Sequence, residues 1–240
     1  LWNHVSFATS ALPAALAGPR ADVVFASIPP LFLGGTAWLA ARLHRSPLVL
    51  DCRDDWPAAA VALGEMRPGL AATMLGTYAR FLQRHADRVV AVTPGMLRAF
   101  ERAGLDAGRL VLITNGADTD LFRPAPPRPA AAQVTVLYAG THGLIHGMDA
   151  LLDAAERLRD RADLRFRLVG DGVHKPALVE RARAAGLERV EFLPSVPPTE
   201  LVSEIAAADL CVATTRDHPF CGETIPVKLF DYLACGRPVV

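Results

Sequence analysis

Glu223-Thr224-Ile225-Pro226-Val227-Lys228-Leu229-Phe230-Asp231-Tyr232, continued by Leu233 and by Ala234-Cys235-Gly236-Arg237-Pro238-Val239-Val240, sets an acid, a helix and a strand in one run. Proline is tolerated in a first helical turn, so the helix is expected to open at Thr224 or Ile225, with Glu223 in the loop before it beside unpaired backbone N–H groups. Such a helix end attracts phosphate. Asp231, about a turn and a half beyond Pro226, can face the same cleft and reach for hydroxyls. Ala-Cys-Gly then ends the helix and Pro-Val-Val starts a strand. Two acids eight positions apart also arise on a solvated helix face.

The same alternation runs through the rest of the chain. Strands are expected at Val23–Ser27, Leu48–Cys52, Val89–Thr93, Leu110–Thr114, Val134–Ala139, Leu164–Val169, Val190–Leu193, Leu210–Ala213 and Pro238–Val240. Helical periodicity fills the gaps, notably Leu70–His85, Gly95–Ala103, Met148–Arg159, Pro176–Ala185 and Thr199–Ala207. Alternating strands and helices argue for an α/β fold with parallel sheets wound by right-handed crossovers. Phe122 to Gln133 is rich in proline and alanine and lacks periodicity, as a stiff linker does. Residues 1–123 therefore read as one domain, 124–133 as the linker and 134–240 as a second domain.

Composition narrows the class. Of the 240 residues 51% are hydrophobic, and 25 basic residues balance 25 acidic ones, so the chain suits two modest globular domains and offers no nucleic-acid surface. Cys52, Cys211, Cys221 and Cys235 form no zinc spacing and read as buried reduced thiols, which points to the cytoplasm. No signal peptide opens the sequence. Residues 23–41 carry no charge and could pass a membrane window, but Pro29-Pro30 and Gly34-Gly35 divide them into a strand and a helix from Leu31 to Arg42.

The spacing of Glu223 and Asp231 resembles the E-x7-E motif of retaining glycosyltransferases of family 4, whose GT-B fold sets two Rossmann-like domains face to face across a cleft. Asp231 is one methylene shorter than the family's second Glu. Asn115-Gly116-Ala117-Asp118-Thr119-Asp120-Leu121-Phe122-Arg123-Pro124 resembles the family's domain-junction segment. Its Asn-Gly turns after a strand, Phe122 can anchor in a core, and the acids of Asp118-Thr119-Asp120 read as Asx-type turn residues in preference to a metal-binding DxD. Gly140-Thr141-His142-Gly143 and Gly147 form a loop between strand and helix that lets backbone approach a diphosphate. The common family pattern carries Arg and Lys where Thr141 and His146 stand, so Lys228, His142, His146 and backbone amides remain to hold the diphosphate. A solvated pair of loop histidines fits the same residues. Gly170-Asp171-Gly172 matches the family's second glycine turn, and Val190–Leu193 the strand whose following backbone holds the base.

Leu50-Asp51-Cys52-Arg53-Asp54-Asp55-Trp56-Pro57, with Ser27–Phe32 before it and Ala60–Gly64 after, resembles a bacterial subgroup that builds capsule, O-antigen or colanic-acid-type polysaccharides and often lacks the loop cations. Arg53 and Asp54 then orient acceptor or donor sugar, or simply close a salt-bridged strand end; Trp56 reads as a packing residue. Relative to the family the start lacks a first strand and glycine loop and the end lacks the last strands, so a fragment with exposed sheet edges and poor stability is expected.

The resemblance implies a retaining, metal-independent transfer from a nucleoside-diphosphate sugar to a lipid-linked or polysaccharide acceptor, at the cytoplasmic face of the membrane, with peripheral membrane contact. Glu223, Lys228, Arg53 and Asp54 are the implied catalytic group. Asp231, Gly140, Thr141, His142, His146, Gly147, Gly170 and Asn115 are the implied donor-binding group. No metal or other cofactor is implied. A sugar-nucleotide 2-epimerase of the same fold and a non-catalytic sugar-nucleotide-binding partner are the other two readings.

Overall fold

The computed structural model describes residues 2–62, 64, 66–125, 133–218 and 221–240. Residues 126–132 of the expected linker, Leu63 of the 60–64 run and residues 219–220 lie outside them. Two compact units divide the chain, the first formed by residues up to Thr114 with Gly222–Thr224, the second by Asn115–Cys221 with Ile225–Val240.

The first unit runs α1 (Trp2–Ala17), β1 (Val24–Ile28), α2 (Leu31–His44), β2 (Leu48–Cys52), α3 (Ala58–Ala62), α4 (Leu70–His85), β3 (Arg88–Ala91), α5 (Pro94–Arg102) and β4 (Leu110–Leu112). Its strands lie in the order β1-β2-β3-β4, all parallel, with Val24 opposite Leu48, Val49 opposite Arg88 and Val89 opposite Leu110. The strands read as nearly continuous apolar runs because helices bury them. Leu48, Leu50, Cys52, Val89 and Ala91 pack with Leu82 of α4 and Phe100 of α5 in one core. At Gly34 a Cβ would stand 2.8 Å from Leu82 Cδ1, so glycine lets α2 close onto α4. Thr93 caps α5, accepting from the Met96 N–H at 3.0 Å, with Pro94 in the first turn. Trp56 packs against this core, as a packing residue should.

The second unit runs β5 (Val134–Ala139), α6 (Met148–Arg157), β6 (Leu164–Val169), α7 (Lys175–Ala184), β7 (Val190–Leu193), α8 (Pro198–Ala207), β8 (Leu210–Cys211) and α9 (Lys228–Ala234). Its parallel order is β7-β6-β5-β8. Alternate residues of β5 feed opposite faces, as a period of two requires. Val136 and Tyr138 join Leu152 of α6 and Leu178 of α7, whereas Leu137 and Ala139 join Ile205 of α8, Tyr232 of α9 and Phe122. Phe122 thus anchors in the second unit's core.

β8 pairs with β5 only at Val136–Leu210 and Leu137–Cys211, and Val212 N–H adds one bond to Leu137 O, so the end of β5 needs another partner. Tyr232 supplies it: its hydroxyl accepts from Ala139 N–H at 2.7 Å and stands 3.2 Å from Ala139 O, within the buried core. Tyr232→Phe is expected to destabilise the protein by about 1–3 kcal/mol, the cost of an unpaired buried amide, visible as a lower denaturation midpoint with an unchanged slope.

Several expectations are corrected. The helix after Glu223 begins at Lys228, not at Thr224 or Ile225, because the residue before a proline is pushed from helical to extended backbone. Asp231 therefore lies in the first turn of α9, and Glu223 closes a separate 3-10 turn, Cys221–Glu223. The expected strands at 210–213 and 238–240 shrink to Leu210–Cys211 and a single bridge from Cys211 to Val239. Helices α1 and α3 stand beyond the expected elements; α1 packs beside α2, where Thr36 Oγ1 donates to Ala8 O at 2.7 Å. All four cysteines are buried and free. No helix among the described residues is long and apolar enough to cross a membrane.

Candidate functional site

In the second sheet the chain moves outward from β5 to β6 and β7, then returns to lay β8 on the other side of β5. The strand order thus reverses between β5 and β8, and open α/β sheets bind ligands outside the carboxyl ends of the strands at such a switch point. The glycine loop 140–147 leaves β5 there.

This loop is tied on both sides by backbone. Gly140 N–H donates to Val169 O at 2.9 Å and His142 N–H to Asp171 O at 2.8 Å, while Arg216 N–H donates to Ile145 O at 2.8 Å. The glycines permit that closeness. At Gly170 (φ 140°) a Cβ would fall 1.9 Å from Gly140 O, and at Gly147 (φ 58°) 2.7 Å from Thr215 O. Lys175 Nζ adds bonds to Gly170 O at 2.7 Å and Leu193 O at 2.8 Å, closing the turns after β6 and β7 with one ammonium.

Lys228, in the first turn of α9, brings the cation. Its Nζ is buried with no hydrogen-bond partner among the described residues, 3.6 Å from the centroid of the Tyr138 ring. Gly140 passes beneath it, where a Cβ would stand 3.0 Å from Nζ. The Tyr138 hydroxyl donates to Thr141 O at 2.8 Å, which ties the cation's aromatic floor to the loop. Burial holds the Lys228 ammonium down to about 7. An uncompensated charge here is a standing invitation to an anion.

The two loop histidines differ from expectation. His142 is fully buried, its ring 5.8 Å from that of Tyr138 and 6.2 Å from that of Phe192, so it packs beneath the loop and not in solvent. Burial first, then the charges of Lys175 and Lys228, push it down to about 4. His146 sits in the 3-10 turn Leu144–His146, and burial, Lys228 and His142 push it down to about 4 as well. Both imidazoles are neutral near pH 7, so neither replaces the missing loop cations. Asp231 is half-buried, and burial raises its carboxyl above the ordinary range.

Lys228, Gly140, Thr141, His142, His146, Gly147 and Gly170 therefore gather at one end of one sheet, with Asp231 a turn along α9 from Lys228. Asn115 is half-buried on the segment that begins the second unit. Beyond it Asp118 Oδ1 accepts from Asp120 N–H at 3.0 Å and Leu121 N–H at 3.3 Å, the Asx-type turn the sequence suggested.

The remaining candidates belong to the first unit. Asp51, next to last in β2, is buried and accepts from Ser27 Oγ at 2.8 Å, and the exposed Arg53 lies 3.7 Å from it as a salt-bridged strand end. Asp54 is exposed. Glu223 groups with this unit: its carbonyl accepts from Thr93 Oγ1 at 2.7 Å and its carboxylate pairs with Arg102 of α5. At Gly95 a Cβ would stand 2.7 Å from Glu223 Cβ, so that glycine makes room for the acid. Asp55 nearby is raised by burial, opposed by Arg80 and reinforced by Glu223.

Residues 1–116 match the family described as Glycosyl transferase 4-like domain, and residues 133–240 match Glycosyl transferases group 1. The chain belongs to the family 4-type glycosyltransferases. The family 4-type chain is 26% identical over 251 residues to the Escherichia coli (strain K12) protein named as a colanic acid biosynthesis glycosyl transferase, WcaI, covering 98% of this chain and 61% of WcaI. It is 31% identical over 225 residues to the D-inositol 3-phosphate glycosyltransferase of Nocardia farcinica, covering 86% of this chain and 48% of that protein. The crystal structure of Anabaena Alr3699/HepE in complex with UDP superposes with a TM-score of 0.76 at 21% identity, covering 98% of this chain and 62% of HepE, and shows the GT-B fold. The family 4-type chain thus spans about half to three-fifths of the length of these relatives.

In this family member, sequence reasoning overlooked Tyr138, Lys175, Tyr232 and Arg102. Tyr232 and Lys228 stand i, i+4 in one helix, which could have suggested that both meet β5. Arg102 left no signal, because it is 121 residues from the acid it pairs.

Proposed function

We propose that this protein is a retaining glycosyltransferase that moves a sugar from a nucleoside-diphosphate donor to a lipid-linked or polysaccharide acceptor in cell-surface glycan synthesis. The observation that carries the reading is the buried, unpartnered Lys228 ammonium above the glycine loop at the switch point. WcaI, a colanic acid relative by name, supports the pathway class, and a fold neighbour crystallised with UDP and with UDP-glucose supports the donor class.

Lys228 then binds the diphosphate and stabilises it as it leaves, aided by loop N–H groups. Asp231 accepts from the ribose hydroxyls. Glu223 positions the donor sugar, exchanging its pairing with Arg102 for sugar hydroxyls. The bond between sugar and diphosphate breaks without a metal, and an acceptor hydroxyl forms the new bond on the vacated face, its proton passing to the leaving phosphate.

Calorimetric titration with UDP, GDP and their sugars, without and then with magnesium, tests this. Asp231→Ala is expected to weaken every nucleotide about 10–100-fold, the loss of a hydrogen bond to a charged group. Glu223→Ala should spare UDP or GDP and weaken only the sugar-bearing ligand. Magnesium-dependent binding would overturn the metal-free reading, and donor turnover to an isomer without acceptor would replace transfer by epimerisation.

A further inference from the structure

At the opposite end of the first unit's sheet, Pro47 before β2, Leu48 at its first position and Asp87 before β3 floor an open cavity of about 650 Å³. Its walls carry Arg42 and Arg45 from the end of α2, Arg84 from α4 and Arg109 beside β4. Ligand sites commonly span about 300–1,000 Å³. A five-residue strand separates this end from the carboxyl ends of the same sheet by roughly 16 Å, and none of the lining residues belongs to the site described above.

The charge is one-sided. Among the described residues Arg42, Arg45 and Arg84 form no salt bridge, although Arg84 donates to Ala103 O at 3.5 Å; Arg109 approaches Asp106 at 3.7 Å and donates to Arg84 O at 3.3 Å. Asp87 is the one acid lining the cavity, and its carboxylate accepts from Leu48 N–H at 2.8 Å. Arg20 adds a further guanidinium beside Arg45, donating to Arg45 O at 3.3 Å, and Arg42 lies 6.0 Å over the Trp38 ring. His85 lines the same wall.

Arg45 gives the second, independent sign. It caps α2 in the left-handed conformation, φ 55° and ψ 43°, and is the one non-glycine residue with positive φ among those described. Glycine or asparagine is the ordinary residue there, because a Cβ is strained. The backbone bonds of the cap, to Ala41 O and Arg42 O, need no side chain. The strained arginine places a guanidinium where glycine would place none.

We propose that this cavity is a binding site for a phosphate group, gripped by the guanidinium forks of Arg42, Arg45 and Arg84. Planar guanidinium groups match phosphate oxygens two at a time, which a cluster of lysines would not do. Leu43, 60% exposed, follows Arg42 on α2, and Phe81, 37% exposed on α4, lies 5.3 Å from the Trp38 ring, so the phosphate arrives either on a lipid headgroup or on a free ligand.

Arg45→Gly separates this role from a structural one, since glycine suits the left-handed cap. Inorganic phosphate and pyrophosphate are titrated by calorimetry against the wild type, Arg45→Gly and Arg84→Gln, with saturating UDP present to occupy the other site. Each variant is expected to bind about tenfold more weakly, with Arg45→Gly melting no lower than wild type. Co-sedimentation with phosphatidylcholine vesicles with and without phosphatidylglycerol assigns the source. Pelleting that needs the anionic lipid and is lost in Arg45→Gly means a headgroup, and phosphate binding without pelleting means a soluble ligand. Equal phosphate affinity in all three proteins, or none in any, overturns the proposal.

Discussion

Replacing Lys228 by methionine is expected to make the ligand-free protein more stable and to lower affinity for a nucleoside diphosphate about 10²–10³-fold, the scale on which removal of one preorganised electrostatic contact acts. Methionine keeps the unbranched volume above Tyr138 while removing an ammonium that has no hydrogen-bond partner among the described residues. The pH dependence follows from the direction of the shift. The folded protein holds Lys228 at about 7, below its ordinary value of 10.5. Between those values the unfolded chain binds the extra proton, so wild-type stability rises as pH increases from about 7 to about 10.5 and carries its full penalty below 7. That penalty is on the order of a few kcal/mol.

Binding runs the other way. A diphosphate prefers the ammonium, so above pH 7 it must take up a proton, and wild-type affinity should fall by up to about tenfold per pH unit toward pH 9. In Lys228→Met both slopes should vanish. Thermal unfolding and calorimetry from pH 6 to 9 read both at once. A variant that is less stable than wild type at pH 7, or that binds UDP equally well, would mean that Lys228 serves packing alone.

Much of the fold was legible because the strands are short apolar runs between amphipathic helices: β2, β5, β6, β7 and α4 stand where periodicity put them, to the residue. What escaped was context. Pro226 permits a first helical turn by its own chemistry, but its effect on Ile225 delays α9 to Lys228. The strand expected at 210–213 is shortened because Tyr232, distant in sequence, takes over the backbone bonds of Ala139. At the site, the glycine loop and Lys228 could be found from type and spacing. Ionisation could not, since the neutrality of His142 and His146 comes from burial and from Lys175 and Lys228, which no linear pattern records. Glu223 was legible as an acid, yet its pairing with Arg102 depends on α5.

Gly170→Ala should be the most damaging single methyl in the second unit. The position combines φ 140° with a Cβ that would stand 1.9 Å from Gly140 O, 2.9 Å from Gly140 C and 3.3 Å from His142 Nε2. Backbone strain of this kind costs roughly 1–3 kcal/mol by itself. The clash is with backbone, which cannot rotate aside as a side chain can, so the loop after β5 must move, and the total loss is expected to exceed about 3 kcal/mol. Gly186 is the internal control. Its φ is 65° and a Cβ there meets nothing within 4 Å, so Gly186→Ala bears the left-handed strain alone, about 1 kcal/mol. Chemical denaturation of both variants isolates the steric part. The same displacement lifts Gly140 from beneath Lys228, so Gly170→Ala should weaken UDP binding while Gly186→Ala leaves it unchanged. Equal losses of stability in the two variants would show that the turns after β5 and β6 are not locked together, and the site would then depend on ligand to assemble it.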